Sequence, residues 1–154
     1  MKSILSGQQV DFVGMLHELV ELEFDAIEAY KTAIDRVVDE DFKSLLIRFN
    51  EQHERHVVEI NHILIARGVE AVKGPTGKRW VIKGEVMLGQ AIDNDKGILK
   101  VMFYIEEDTN KGYETLCQYK IWEEAVEILE QGLKDEQGHK RWLEEILDNW
   151  NDAE

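Results

Sequence analysis

Hydrophobic residues recur every three or four positions along four long stretches of the chain. In the first stretch, Val13, Leu16 and Val20 have this spacing, and Ile27 and Ile34 continue it at intervals of seven residues, two helical turns each. The four stretches cover residues 10–38, 39–68, 95–116 and 125–147. Such spacing brings apolar side chains to one face of an α-helix. The pattern therefore predicts four amphipathic helices.

Residues typical of helix ends separate these stretches. The acidic segment 39–41 stands at the start of the second helix, and Gly68 follows its end, where glycine is common. Segment 93–95, Asp-Asn-Asp, is a strong start signal for the third helix. The glycine-rich stretch before it has no sustained period and includes a short apolar turn or helix at 85–92. We therefore predict a long connection over residues 68–95.

The lengths of the connections predict how the helices pair. The links between the first two helices and between the last two are short, so each pair is expected to form an antiparallel hairpin. The long connection is what the chain needs to cross from one hairpin to the other. We expect an all-α four-helix bundle in one domain, residues 1–154, because a chain of this length buries a substantial core.

Polar residues interrupt the apolar stripes at matched levels. In the first helix Glu23 and Tyr30 are seven residues apart, which keeps both on the inward face, and in the second His53 and His56 are three apart. The third and fourth helices repeat both spacings. A single offset of 83 residues relates the two halves, and it carries these four residues to Glu106, Tyr113, Glu136 and His139.

Each of these residues also has an ordinary interpretation when it is taken alone. Glu23 fits a surface glutamate, Glu106 fits a solvated acidic patch, and a lone core histidine is commonly a satisfied polar group. The shared offset favours one common site instead. A carboxylate in a dry core requires a proton, a cationic partner or a metal, and no Lys or Arg shares these inward positions. Tyr30 and Tyr113 are either core tyrosines or hydrogen-bond donors to a ligand carboxylate.

The motifs resemble those of the ferritin-like superfamily. E-x6-Y is present as Glu23–Tyr30 and Glu106–Tyr113, and E-x-x-H as Glu136–His139, within a resemblance that spans about residues 10–148. It is closer to the small bacterial and rubrerythrin-like proteins than to cage ferritins, because no fifth helix is evident. The resemblance implies an up-down-down-up bundle with a dinuclear metal site. The ligands that it implies are Glu23, His53, His56, Glu106, Glu136 and His139.

The resemblance also implies a cofactor and a chemistry. Two iron ions are the expected occupants, with manganese or zinc as alternatives, because oxygen and imidazole ligands suit these metals. Ferroxidase, oxidase or peroxide chemistry would follow, with dioxygen or peroxide as the partner molecule. A non-catalytic structural or binding module, with a structural metal or a degenerate site, is the alternative. We expect a homodimer.

The sequence departs from the ferritin-like pattern at His53, where a metal-bridging glutamate is expected. Three carboxylates against two divalent ions leave a net charge of +1 before an anion binds. An imidazole also binds through one nitrogen in one direction, so it does not bridge as a carboxylate does. These differences predict weaker or asymmetric metal loading and argue against fast ferroxidation.

Composition and charge exclude several classes of partner. Acidic residues number 32 against 18 basic ones, a net charge of −14, so the chain would repel a nucleic-acid backbone. The single cysteine excludes a disulfide framework and fits a reducing cytoplasm. No signal peptide is evident, and no apolar run approaches the roughly 20 residues that span a bilayer. We expect a cytoplasmic protein with no membrane partner.

Overall fold

The computed structural model describes residues 7–75 and 94–150. Within these ranges the secondary structure consists of four helices and no strand, and each helix coincides with one of the predicted stretches. The helices are α1 (Gly7–Arg36), α2 (Glu40–Ala66), α3 (Asp95–Cys117) and α4 (Glu123–Asp148). The predicted all-α four-helix bundle is confirmed. None of the helices described has the length and apolar character needed to cross a bilayer.

Contacts between helix ends give the direction of each helix. α1 packs against α2 and α3, and α4 packs against α3 and α2. The backbone N–H groups of Val38 and Asp39, after α1, donate to the Asp95 carboxylate at the start of α3. Arg67, after α2, pairs with Glu124 at the start of α4. The bundle is therefore up-down-down-up, and the chain between α2 and α3 joins opposite ends of it.

The predicted end signals act as helix caps. The Asp39 carboxylate accepts hydrogen bonds from two backbone N–H groups in the first turn of α2. The Asn94 side chain accepts from the Gly97 N–H at the start of α3. Gly68 has a φ of 76°, a left-handed conformation that favours glycine and ends α2. The turn or helix predicted at 85–92 lies outside the described residues.

The buried apolar side chains form two clusters, one toward each end of the bundle. One cluster includes Leu46, Leu99 and Met102. The other includes Leu16 and Ile60 among its members. Burial of apolar surface contributes roughly 25 cal/mol per Å². These two clusters offset the cost of the layer of charged side chains that lies between them.

Two glycines inside helices permit close packing across the bundle. A Cβ atom placed on Gly132 in α4 would lie 2.3 Å from a carbon of the Tyr113 ring in α3. A Cβ on Gly112 would lie 2.9 Å from Leu19 in α1. Glycine costs up to about 1 kcal/mol in a helix interior. Here the missing side chains make room for neighbours, and Gly132 seats a tyrosine beside the charged layer.

Candidate metal centre

The six predicted ligands meet in the middle layer of the bundle. α1 supplies one glutamate, α2 two histidines, α3 one glutamate, and α4 a glutamate and a histidine. None of these side chains is more than 2% exposed. The structure thus brings together all of the residues that the sequence selected: Glu23, His53, His56, Glu106, Glu136 and His139.

One part of this layer is half-site A, which we define as Glu23, His53, His56 and Glu136. One ligand atom from each residue lies within 4.8 Å of the other three. His56 Nδ1 is 2.9 Å from Glu23 Oε2 and 3.1 Å from Glu136 Oε1. His53 Nδ1 is 3.0 Å from Glu23 Oε1. Two carboxylates and two imidazoles therefore converge closely enough to hold a metal ion.

The other part is half-site B, which we define as His53, Glu106, Glu136 and His139. Its ligand atoms also lie within 4.8 Å of one another. His53 Nε2 is 2.8 Å from Glu106 Oε1, and His139 Nδ1 is 3.3 Å from the same oxygen. His139 Nδ1 is buried without a hydrogen-bond partner. A cation placed among these atoms would satisfy that nitrogen, so the donor set fits a metal.

The two half-sites share His53 and Glu136 in different ways. Glu136 directs Oε1 toward His56 in half-site A and Oε2 toward His139 in half-site B, so its carboxylate has one oxygen for each. His53 directs Nδ1 toward Glu23 and Nε2 toward Glu106. A neutral imidazole has a free electron pair on only one nitrogen. His53 can therefore be a ligand in one half-site at a time.

Two further residues hold the outer nitrogens of the histidines. His56 Nε2 lies 2.9 Å from Asp135 Oδ2, and His139 Nε2 lies 2.5 Å from Gln52 Oε1. Each contact fixes the ring so that Nδ1 points inward. Sequence reasoning missed both residues. The 83-residue offset could have identified them, because it relates Gln52 to Asp135 and each stands one position before a selected residue.

The two predicted tyrosines reach the carboxylates across the interface between α1 and α3. Tyr30 in α1 donates its hydroxyl to Glu106 in α3. Tyr113 in α3 lies at 3.5 Å from Glu23 Oε2 in α1. Both are hydrogen-bond donors to glutamates of the layer as well as core residues. Thr109, which the sequence did not single out as a site residue, donates to Glu136 Oε2 at 2.9 Å.

Burial and charge act in opposite directions on the histidines. Burial lowers the pKa of His56, but hydrogen bonds with Asp135, Glu136 and Glu23 outweigh it and raise the pKa to about 11. The pKa of His53 is also raised well above its usual value, because the surrounding carboxylates outweigh the effect of burial. These two imidazoles therefore carry an extra proton near neutral pH when no metal is bound.

The glutamate and the tyrosines respond to the same environment. Burial raises the pKa of Glu136, but the charge on His53 and the close approach of the three histidines hold it well below its usual value. Burial, reinforced by the neighbouring carboxylates, raises the pKa of Tyr30 and Tyr113 well above 10. Both phenols keep their protons and remain donors.

A surface groove between α2 and α4 leads to this layer. Its volume is about 280 Å³, and Gln52, Asp135 and His139 contribute to its lining. The cationic residues Arg48 and Lys134 line it as well. The groove connects solvent with the outer side of the His139 ring.

Comparison with known proteins gives a family and a fold. No curated protein matches the chain significantly. The solved structure of a conserved hypothetical protein, rv2844, from Mycobacterium tuberculosis superposes with a TM-score of 0.79 at 14% identity, over 96% of this chain and 98% of that one. That likeness concerns the fold alone. The description of that protein does not name a ferritin, so the ferritin-like resemblance stays a prediction. Residues 11–118 match the family described as Domain of unknown function (DUF2383), and the chain therefore belongs to that family.

Proposed function

We propose that the protein binds a pair of divalent transition-metal ions, one in each half-site. The observation that carries this proposal is the convergence of three carboxylates and three imidazoles from four helices in a buried layer. Among the residues described, no Lys or Arg side chain is buried with them. In the metal-free chain, protons on the histidines are what offsets the carboxylates. Metal ions would replace those protons.

The chemistry of the donors favours iron, with manganese and zinc as alternatives. Carboxylate oxygens and imidazole nitrogens suit these ions, whereas the layer offers no thiolate for softer ones. Three carboxylates leave two divalent ions with a net charge of +1. A hydroxide or another small anion would complete the balance.

Iron would also bring redox chemistry to the site. A bound pair of Fe(II) ions supplies two electrons for the reduction of dioxygen or peroxide. The chain's own residues hold the geometry: Tyr30 orients Glu106, while Asp135 and Gln52 hold the His56 and His139 rings. The two apolar clusters exclude water from above and below the layer.

Anaerobic titration of the metal-stripped chain with Fe(II), followed by admission of oxygen, tests the proposal. We expect two ions per chain and an ultraviolet change on oxidation. A double variant, Glu136→Ala with His139→Ala, should lose most of the bound iron. His62→Gln removes an exposed histidine and should leave the stoichiometry unchanged. Binding of less than one ion per chain would contradict the proposal.

A structural metal site is the second candidate, and His53 is the observation that favours it. Because His53 serves one half-site at a time, one of the two ions has fewer ligands than the usual carboxylate pattern provides. A structural role predicts that metal raises the melting temperature while oxygen and peroxide are consumed no faster than by the same metal free in solution. Turnover above that background would favour the redox function.

A further inference from the structure

Gln52 and Asp135 occupy equivalent places in the two halves of the chain but differ in charge. Asp135 on α4 contacts His56, and Gln52 on α2 contacts His139. We propose that this difference makes the half-sites unequal: half-site A binds a first divalent cation tightly, and half-site B binds a second cation weakly and exchanges it. The inference rests on the proposed metal-binding function and specifies how the site is loaded.

The outer contact of His56 is the stronger of the two. Asp135 is an anionic acceptor, and Arg55 and Gln131 hold its carboxylate in place. An anionic partner on the outer nitrogen makes the inner nitrogen a better metal ligand than a neutral amide does. His56 is therefore the stronger ligand, and His139, on Gln52, is the weaker one.

The shared ligands then favour one ion over two. A first ion in half-site A takes one oxygen each from Glu23 and Glu136 and one nitrogen each from His53 and His56. Two carboxylates balance its charge. A second ion is left with Glu106, His139 and the other oxygen of Glu136. His53 is not available to it, because an imidazole bound through Nδ1 carries its proton on Nε2. The second ion thus has fewer protein ligands and open coordination positions.

Access to solvent differs in the same direction. His139 and its partner Gln52 both line the groove between α2 and α4, whereas Asp135 lines it and its partner His56 is not among the lining residues described. An ion in half-site B would therefore be held by His139, whose ring borders the groove. We expect this ion to exchange faster than the ion in half-site A.

Calorimetric titration of the metal-stripped full-length chain with Co(II), under anaerobic conditions, measures both steps. Co(II) is a redox-stable stand-in for Fe(II). We expect two steps, with a Kd for the first at least about 10-fold below that for the second. Asp135→Asn should weaken the first step by about 10- to 100-fold, the usual range for loss of such a partner. Gln52→Glu should strengthen the second step by about 10-fold.

Matched surface variants control for net charge and for folding. Glu124→Gln removes one negative charge far from the layer, as Asp135→Asn does within it, and Gln8→Glu adds one, as Gln52→Glu does. Both controls should leave the two steps unchanged. The gain expected for Gln52→Glu is a result that loss of folding cannot imitate.

The outcomes separate the two proposals. Two equal steps in the wild-type chain, or Asp135→Asn weakening both steps equally, would overturn the inequality and leave the metal-binding function standing. No affinity gain in Gln52→Glu would also count against the inequality. A wild-type chain that binds no Co(II) and no Fe(II) would overturn the proposed function and this inference together.

Discussion

At the scale of single residues, His53 is the histidine that contacts all three glutamates of the charged layer. It contacts Glu23 through one nitrogen and Glu106 through the other, and it lies 3.2 Å from Glu136. In the metal-free chain it carries a buried positive charge among three carboxylates. In a metal-loaded chain it would be a ligand that cannot serve both ions. We therefore expect His53 to stabilise the metal-free layer more than a metal-loaded one.

The substitution His53→Glu should affect the two states in opposite directions. Without metal it replaces a buried cation by a fourth carboxylate, so we expect a loss of about 3–5 kcal/mol in the free energy of unfolding. With two divalent ions the fourth carboxylate balances the charge, and the second ion should bind more tightly. Urea unfolding and calorimetry measure the two effects.

His53→Gln is the matched control because it removes the cation without adding an anion. It should weaken metal binding and destabilise the metal-free chain less than His53→Glu does. Equal stability of His53→Glu and the wild-type chain, both without metal, would show that His53 does not neutralise the layer.

At the scale of the helices, α4 illustrates how a position that is locally unfavourable serves the packing. Gly132 interrupts a helix of 26 residues, yet Tyr113 of α3 fills the space beside it. That ring in turn packs edge-to-face with His56, with ring centroids 5.5 Å apart. The glycine thus lets Tyr113 of α3 pack against His56 of α2.

Two glycine-to-alanine substitutions in α4 should have opposite effects on stability. Gly132→Ala places a Cβ against the Tyr113 ring, and we expect a loss of about 1–3 kcal/mol from overpacking. The Cβ added by Gly138→Ala has no heavy atom of the other described helices within 4 Å. The free energy of unfolding of this variant should therefore rise by up to about 1 kcal/mol from helix propensity. Urea denaturation of both variants measures the difference. A gain for Gly132→Ala would mean that the ring is not seated there.

At the scale of the whole molecule, stability depends on pH through the charged layer. The pKa of His56 is raised to about 11 in the folded chain. Its contribution to stability is therefore fully present below the unfolded value of about 6.5 and is lost as pH rises toward 11. The pKa of Glu136 is lowered, so its contribution is present above about 4.5 and is lost as pH falls. The layer therefore stabilises the folded metal-free chain most between about pH 4.5 and pH 6.5.

Metal binding should depend on pH in the opposite direction to the stability of the metal-free chain. Imidazoles bind metal only after losing their protons, so affinity rises with pH while the layer's own contribution in the metal-free chain falls. The increase in melting temperature caused by Zn(II) should therefore be larger at pH 8 than at pH 6. Thermal melts with and without Zn(II) measure it, and His56→Gln should show a smaller change with pH. An increase that is larger at pH 6 would contradict the argument.

Assembly is the other property of the whole molecule that the sequence led us to predict. The expected homodimer stays a prediction, and sedimentation of the metal-free and metal-loaded chains measures it.

The exposed exterior carries most of the net charge of −14, which favours the approach of cations.

The sequence by itself determined the elements and the composition of the layer. Helical spacing identified four helices because burial of one face depends on local periodicity, and capping residues such as Asp39, Asn94 and Gly68 identified their ends. The 83-residue offset then selected the glutamates and histidines that meet in the bundle. These features could be predicted because each depends on residues that are neighbours along one helix.

Only the tertiary structure decided which atoms face one another. His53 uses both nitrogens, Asp135 holds His56, and Gln52 holds His139. These contacts depend on side-chain rotamers and on the distance between α2 and its neighbours. Gly132 could not be explained from α4 alone, since the ring beside it belongs to α3. Periodicity along a helix fixes which face a residue occupies. The partner across the interface is set by how the helices pack, which local spacing does not encode.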